Sequence, residues 1–375
     1  MDLLGALGEN YRERVYQRGF SNRKNNVSVK KILAFLSQSR DWVDSPLCHN
    51  RRRDGLYHSY NLIRFDKKNR VSIRTLYEML EGQVSILSSG LLSPTASVAL
   101  LRSLRGSALY RRDQHSYLLY PDRKLPRFLD RNNLPNADVR RSPLLRKLLA
   151  NGNRDLVEKD PSGRVHFAAH LANARDLGAV LEKLGQDPDF RSLVGRERDK
   201  IFQAYEKVFD HQSFTGRSGT FYGYEGLGCI YWHMVSKLLL AVQEVFFRAL
   251  EEKAPASVCR ALSQAYYDIR KGLGDSKTPL QYGAFPMDPY SHTPARSGAR
   301  QPGLTGQVKE DILCRWGELG VFVEKGILTL RPDLLRKSEF SRTEGEFDYY
   351  DLKGNRRRLH LPMNSLGFTF CQTPF

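Results

Sequence analysis

Three stretches of the chain concentrate the side chains that could carry chemistry. The first sets Arg217, Tyr222, Tyr224 and Glu225 among glycines at 216, 219, 223, 226 and 228. Glycines let backbone come close to a ligand, and tyrosines offer flat amphipathic faces able to stack on a sugar ring. The competing account is a glycine-rich approach to a helix, with Glu225 favourable beside its N-terminal dipole. The second stretch, residues 278–311, holds Asp288, Tyr290, His292, Arg296 and Arg300, and closes on Thr305-Gly306-Gln307 at the start of a helix. Free backbone N–H groups at such a start take anions such as phosphate, and His292 with a neighbouring arginine would add charge. A plain Thr305 N-cap competes with that reading. The third is Asp41-Trp42-Val43-Asp44, where a carboxyl in an apolar niche could stay protonated and act as a general acid. A solvated aspartate is the plainer alternative.

Further polar groups for a cleft are Glu78, Glu81, Gln83, Asp113, Gln114, His115, Tyr117 and Asp122. No Ser/His/Asp constellation with recognisable spacing occurs, and no Walker-type loop. The five cysteines, at 48, 229, 259, 314 and 371, form no CxxC pair. A disulfide framework and a structural zinc site are therefore set aside, and reduced, mostly buried thiols are expected.

Apolar residues recur at helical spacing in VKKILAFLSQ, IRTLYEMLEGQVSILSS, TASVALLRSLRGS and SPLLRKLLANG. LVEKDPSGRVHF predicts a hairpin turning at Pro161-Ser162-Gly163. Helices resume in ARDLGAVLEKLGQ, ERDKIFQAYEKVF, a long apolar helix starting near Leu227, APASVCRALSQAYYDIRKGLG and GQVKEDILCRWGEL. Alternation then takes over in GVFVEKGILTLRP, EFDYYDLKGNRRRLHLP and LGFTFCQTPF, with Lys325-Gly326 and Lys353-Gly354-Asn355 as turns. The long helix is apolar on nearly every face, so it should be buried all round and hold the first loop against a core. Helices followed by strands predict a mainly α body with β structure at its end.

The stretch PYSHTPARSGARQPGLTGQVKEDILCRWGELGVFVEKGILTLRPDLL resembles the C-terminal part of the cellobiose phosphorylase family. The likeness rests on Thr305-Gly306, Leu319-Gly320-Val321 and Pro332. It is joined by SGTFYG at 218–223, similar to the family's Gly-Gly-X-Phe-X-His at the head of a helix, and by Asp41-Trp42-Val43-Asp44, similar to its Asp-Trp-Asn-Asp. The resemblance implies part of an (α/α)6-barrel, a helical toroid, followed by a small C-terminal antiparallel β domain. Pattern and resemblance together divide the chain into a lead-in at 1–30, a barrel-like region at 31–318 and a β region at 319–375. It implies phosphate contact at Thr305 and Gly306, and Asp44 as the general acid. Gly223 stands where the family's phosphate-contacting histidine would be, and Val43 also departs from the pattern. The family's N-terminal β-sandwich and first barrel helices have no counterpart here, so the likeness is to the C-terminal portion of a longer enzyme.

An inverting enzyme of this kind cleaves β-linked oligosaccharides either by phosphate attack or by water activated by a second carboxylate, for which Glu225 and Asp288 are the candidates. Arg217, Tyr222, Tyr224, Asp288, Tyr290 and Gln307 would line the substrate side, and His292 would join the phosphate site. No cofactor or metal is implied, and inorganic phosphate is the candidate co-substrate. The chain has 375 residues, 41% of them hydrophobic and 27% charged, which suits a globular protein of two or three domains. No apolar run suits a bilayer span and the first twenty residues lack a signal-peptide core, so a cytoplasmic protein without membrane contact is expected. The net charge of +18 raises nucleic acid as a partner, but basic and acidic residues interleave and no nucleic-acid motif occurs, which disfavours it. A homodimer and a longer parent chain both stay open. The rival class is a half-barrel without activity that binds an anionic polymer or a protein partner.

Overall fold

The computed structural model describes residues 2–22, 24–65, 70–122, 126–210, 227–286, 290–295, 297–302 and 307–375. The chain is mainly helical, with thirteen α-helices and small antiparallel sheets among these residues. It divides into two compact units, Met1–Asn50 and Arg51–Phe375.

The first unit holds α1 (Asp2–Arg18) and α2 (Val29–His49). Ser28 caps α2, its Oγ accepting from Lys31 N–H at 3.4 Å. The helix runs on through Asp41 to Asp44, so Trp42 and Asp44 sit two residues apart and point to different sides. Trp42 is 74% exposed. The apolar niche expected around Asp44 is therefore not formed by its tryptophan neighbour.

The second unit opens with the hairpin β1 (Asn61–Phe65) and β2 (Val71–Thr75), then α3 (Leu80–Ser88), α4 (Pro94–Gly106), β3 (Tyr110–Arg111) and β4 (Ser116–Tyr117). The segment IRTLYEMLEGQVSILSS is thus a strand before it is a helix. Val71 to Thr75 pairs residue for residue with Asn61 to Phe65, and the helix begins only after Met79. After Tyr120 the chain departs into α5 (Phe128–Arg131), α6 (Asn136–Arg141), α7 (Pro143–Ala150), β5 (Val157–Lys159), β6 (Val165–Phe167), α8 (Ala174–Gln186) and α9 (Pro188–Phe209). The predicted hairpin at 157–167 is present, with Asp160 accepting from Ser162 and Arg164 across the turn.

This excursion has a hydrophobic core of its own. Leu144, Leu148, Leu156, Val157, Leu177, Leu181 and Tyr205 are 0% exposed, and the cluster draws only on residues between Leu134 and Phe209. Its two ends are tied together on the rest of the unit. Leu119 N–H donates to Cys229 C=O at 2.8 Å, and Gly228 N–H to Tyr120 C=O at 3.2 Å. The segment is a module set into a continuous helical body. Periodicity in the sequence runs through it without marking a boundary.

The body resumes with β7 (Ile230–Tyr231), α10 (Trp232–Glu251), α11 (Ala256–Arg270), the short α12 (Pro279–Tyr282), β8 (Tyr290–Thr293), β9 (Arg300–Pro302) and α13 (Gln307–Leu319). The long apolar helix therefore starts at Trp232, not near Leu227, because a short strand intervenes. α3, α4, α11 and α13 all pack against α10, which buries Trp232, Val235, Leu238, Leu239, Val242 and Val245. Each such side chain contributes about 1.5–3 kcal/mol on removal from water. Gly317 lets α13 close on α10, since a Cβ there would meet the Gln243 side chain. Gln243 Nε2 donates to Cys314 C=O at 2.7 Å. The buried Glu318 joins the same helices, accepting from Tyr266 Oη at 2.6 Å and pairing with Arg270 at 2.8 Å and Arg315 at 2.7 Å.

The C-terminal region is antiparallel, as expected, but consists of separate two-stranded pieces. They are β10 (Val321–Glu324) with β11 (Ile327–Leu330), β12 (Gly345–Tyr350) with β13 (Arg356–Leu361), and β14 (Thr369–Phe370) with β15 (Thr373–Pro374). No helix among the described residues is long and apolar enough to cross a membrane.

Candidate functional site

A strand that follows the first of these stretches meets a strand within the second. β7, just after the first loop, pairs with β8 of the second, placing Tyr231 opposite His292 and Ile230 opposite Thr293. β9 extends the sheet, with His292 opposite Arg300. Alternation along β7 and into α10 sends Ile230 and Trp232, both 0% exposed, into the core. Tyr231 and His233 are left half-buried on the other side.

The ring of Tyr231 stacks on His292 with centroids 5.0 Å apart and planes at 20°. His233 meets Tyr231 edge-on at 5.5 Å, its Nδ1 3.4 Å from the Tyr231 hydroxyl. Beneath them Trp232 Nε1 donates to Thr293 Oγ1 at 2.9 Å, which locks α10 to β8. Tyr290 lies edge-on to Tyr282 at 5.9 Å, and Tyr282 to Trp232 at 5.3 Å. Lys277 covers this aromatic stack, its Nζ 4.6 Å from the Trp232 ring and 2.6 Å from Gln114 C=O. Burial, then the nearby Arg111, push the Lys277 ammonium down to about 8, with Asp113 pulling the other way.

α13 packs along α10. Burial, and then Lys237, hold the His233 imidazolium below its ordinary range, while Glu310 opposes them and Lys309 adds to them. Lys309 and Glu310 stand in the first turn of α13, close enough for their charges to act on the His233 ring. Gln307 opens α13 with a buried Oε1 that has no hydrogen-bond partner among the described residues. Glu310 is 3% exposed and pairs with Lys309 Nζ at 3.2 Å. Helix N-termini with Lys237 and Lys309 outweigh one carboxylate here, and His233, held neutral, offers a ring N–H; such an arrangement favours a small anion.

Of the residues expected from sequence, Tyr290 and His292 lie in this cluster, and Gln307 is the first residue of α13. Asp44 lies in the first unit, half-buried on α2. Arg217, Tyr222, Tyr224, Glu225, Asp288, Thr305 and Gly306 lie outside the described residues. Several cleft candidates serve the framework instead. Gln83 bonds the backbone of Tyr57 and Met79, Glu78 pairs with Arg52 at 3.3 Å, and Asp113 pairs with Arg111 at 2.9 Å. The thiols are all free; Cys229 and Cys314 are buried and pushed up to about 11 and about 12 by burial, whereas Cys48 and Cys371 are exposed.

His233 and Tyr231 were not picked out by the sequence, although a signal was present. In the resemblance drawn from the sequence, Gly-Gly-X-Phe-X-His stands at the head of a helix, and α10 begins at Trp232. Gly228-Cys229-Ile230-Tyr231-Trp232-His233 keeps its first glycine, its aromatic and its histidine in register. The placement at 218–223 had a glycine where the histidine should be. Gly228 has φ +63°, and a Cβ there would run into the Asp122 carboxylate, so glycine is required at that point.

Residues 125–212 match the family model described as GH149 phosphorylase insertion domain 2. The match supports a relationship to the glycoside phosphorylases. Its bounds coincide with the module whose core runs from Leu134 to Phe209 and whose ends meet on the body. An insertion is what that topology describes. No curated protein matches the chain.

Proposed function

We propose that this chain works in a glycoside phosphorylase, transferring a sugar from a β-linked oligosaccharide to inorganic phosphate with inversion. The observation that carries the reading is His233 at the head of α10, against Tyr231 stacked on His292, on the helix that α13 packs along. On this reading α3, α4, α11 and α13 are an arc of an (α/α)6-barrel, with α10 an inner helix. His233, Gln307, Thr305 and Gly306 hold phosphate, and Tyr231, Tyr290 and His292 face the sugar. A phosphate oxygen attacks the anomeric carbon while an acid gives its proton to the glycosidic oxygen. That carbon–oxygen bond breaks, and the products are an α-sugar 1-phosphate and a shortened acceptor. Asp44 is the proposed acid on the strength of the Asp-Trp-Val-Asp resemblance. With His233 available for phosphate, direct phosphorolysis is favoured over water activation by Glu225.

The test is product analysis on a panel of β-linked oligosaccharides, with and without phosphate. Sugar 1-phosphate should form only when phosphate is present, and Asp44→Asn should abolish it. His233→Ala should raise the KM for phosphate about tenfold or more, as expected for loss of a charge-assisted hydrogen bond. Free sugar released equally without phosphate would overturn phosphorolysis. No product from a well-folded chain would favour the binding-protein alternative.

A further inference from the structure

A separate groove lies between α4 and α11, enclosing about 370 Å³, within the range of small-ligand sites. Val98 and Leu101 from α4, with Ala261, Ala265 and Ile269 from α11, give it an apolar floor. The small side chains at 261 and 265 open the space, and Gln264 and Asp268 stand on the same face of α11 at helical spacing. Arg102 and Arg105, one turn apart on α4, form the opposite rim. None of these four polar residues takes part in an ion pair among the described residues. The Asp268 carboxylate accepts from the Gln264 amide at 3.0 Å, and its charge also acts on His115 and Tyr110.

The lining decides the ligand class. No open aromatic face is offered for stacking a neutral sugar. Tyr117 is 5% exposed, and the Arg105 guanidinium covers Tyr110 at 3.8 Å from its ring centroid. Arg105 lies over Tyr110 and donates a hydrogen bond to the Tyr117 hydroxyl, Arg102 is exposed, and the two cations facing one carboxylate leave a net positive rim; guanidinium forks match phosphate oxygens in pairs. Asp268 and Gln264 opposite them suit hydroxyl groups, and the apolar floor suits the C–H face of a ring.

We propose that the α4–α11 groove binds a phosphorylated hexose, with Arg102 and Arg105 on the phosphate and Gln264 and Asp268 on the hydroxyls. This site is distinct from the cluster at the head of α10, and it stands whether or not that cluster performs phosphorolysis. Glucose 6-phosphate is the chosen ligand, because its anomeric carbon carries no phosphate and it is not a phosphorolysis product. Titration calorimetry on the full chain should show binding that weakens roughly tenfold in Arg102→Ala, through loss of a charge-assisted contact. Gln264→Ala should weaken glucose 6-phosphate in the same direction, while His233→Ala should leave it unchanged. Arg102 and Gln264 are both exposed, so their replacement should leave the thermal melt of the chain in place. No binding to the wild-type chain would overturn the proposal. So would binding unchanged by Arg102→Ala, or binding lost in His233→Ala and kept in Arg102→Ala.

Discussion

Replacing Glu197 by alanine should destabilise the inserted module and leave the body untouched. Glu197 comes from α9 and is 4% exposed. Its Oε2 accepts from Ser142 Oγ at 2.6 Å and from Leu144 N–H at 3.0 Å. A buried carboxylate thus closes the first turn of α7, where Ser142 Oγ also accepts from Leu145 N–H as the N-cap. Removing it strands a buried hydroxyl and a buried N–H, and takes a negative charge from a helix N-terminus. Hydrogen bonds to a charged group are worth about 1.5–3 kcal/mol each, partly offset by the desolvation no longer incurred, so a net loss of ~3 kcal/mol is expected. With m near ~1 kcal/mol per molar urea for a segment of this size, the module's midpoint should fall by about 3 M. Glu197→Gln, which keeps the shape, should cost roughly half as much. The chain offers a way to separate the transitions. Its three tryptophans are Trp42, Trp232 and Trp316, and none lies in the module. Far-UV circular dichroism follows both parts, while tryptophan fluorescence does not see the module. The circular dichroism transition should split, with its first step moved by the mutation and the fluorescence midpoint unmoved. A shared shift of both signals, or a shift below about 0.5 M, would refute the account of Glu197 as the module's internal clamp.

Two further expectations follow. Lys277 is held near 8 in the folded chain, against about 10.4 for an unfolded lysine, so between those values the unfolded chain binds the extra proton. Stability should therefore be flat below pH 8 and rise from there to about pH 10.4, and Lys277→Met should remove that rise in urea titrations run across this range. Excising residues 126–210 and joining the ends with a short Gly/Ser linker should leave a body that keeps the native tryptophan spectrum of the buried Trp232. A red-shifted spectrum would show that the module is needed to hold the body together.

The helices and the terminal hairpins were legible because their periods are undisturbed. VKEDILCRWGEL repeats apolar residues at helical spacing, and the Lys325-Gly326 turn divides two alternating strands. The β1–β2 hairpin was not, because Ile73, Leu76 and Leu80 happen to fall at helical spacing with the true helix that follows. The module's boundary was invisible because its closure is made by backbone bonds between Leu119–Tyr120 and Gly228–Cys229, far apart in sequence. His233 escaped notice for a related reason. It sits within an apolar run that reads as core, and only the strand at Ile230–Tyr231 turns it outward.

The juxtaposition of Tyr120 with Leu227 also bears on how the chain finds its fold. To pair those residues the chain must close a loop of roughly a hundred residues, a step whose entropy is paid before α10 can dock on α3 and α4. The module's contacts are mostly local, so it can form early. Once folded, it replaces most of a floppy loop by a rigid body, and the search for the pairing shortens. Substitutions that weaken the module's core would then slow the assembly of helices they never touch, visible as a slower tryptophan phase in refolding from urea.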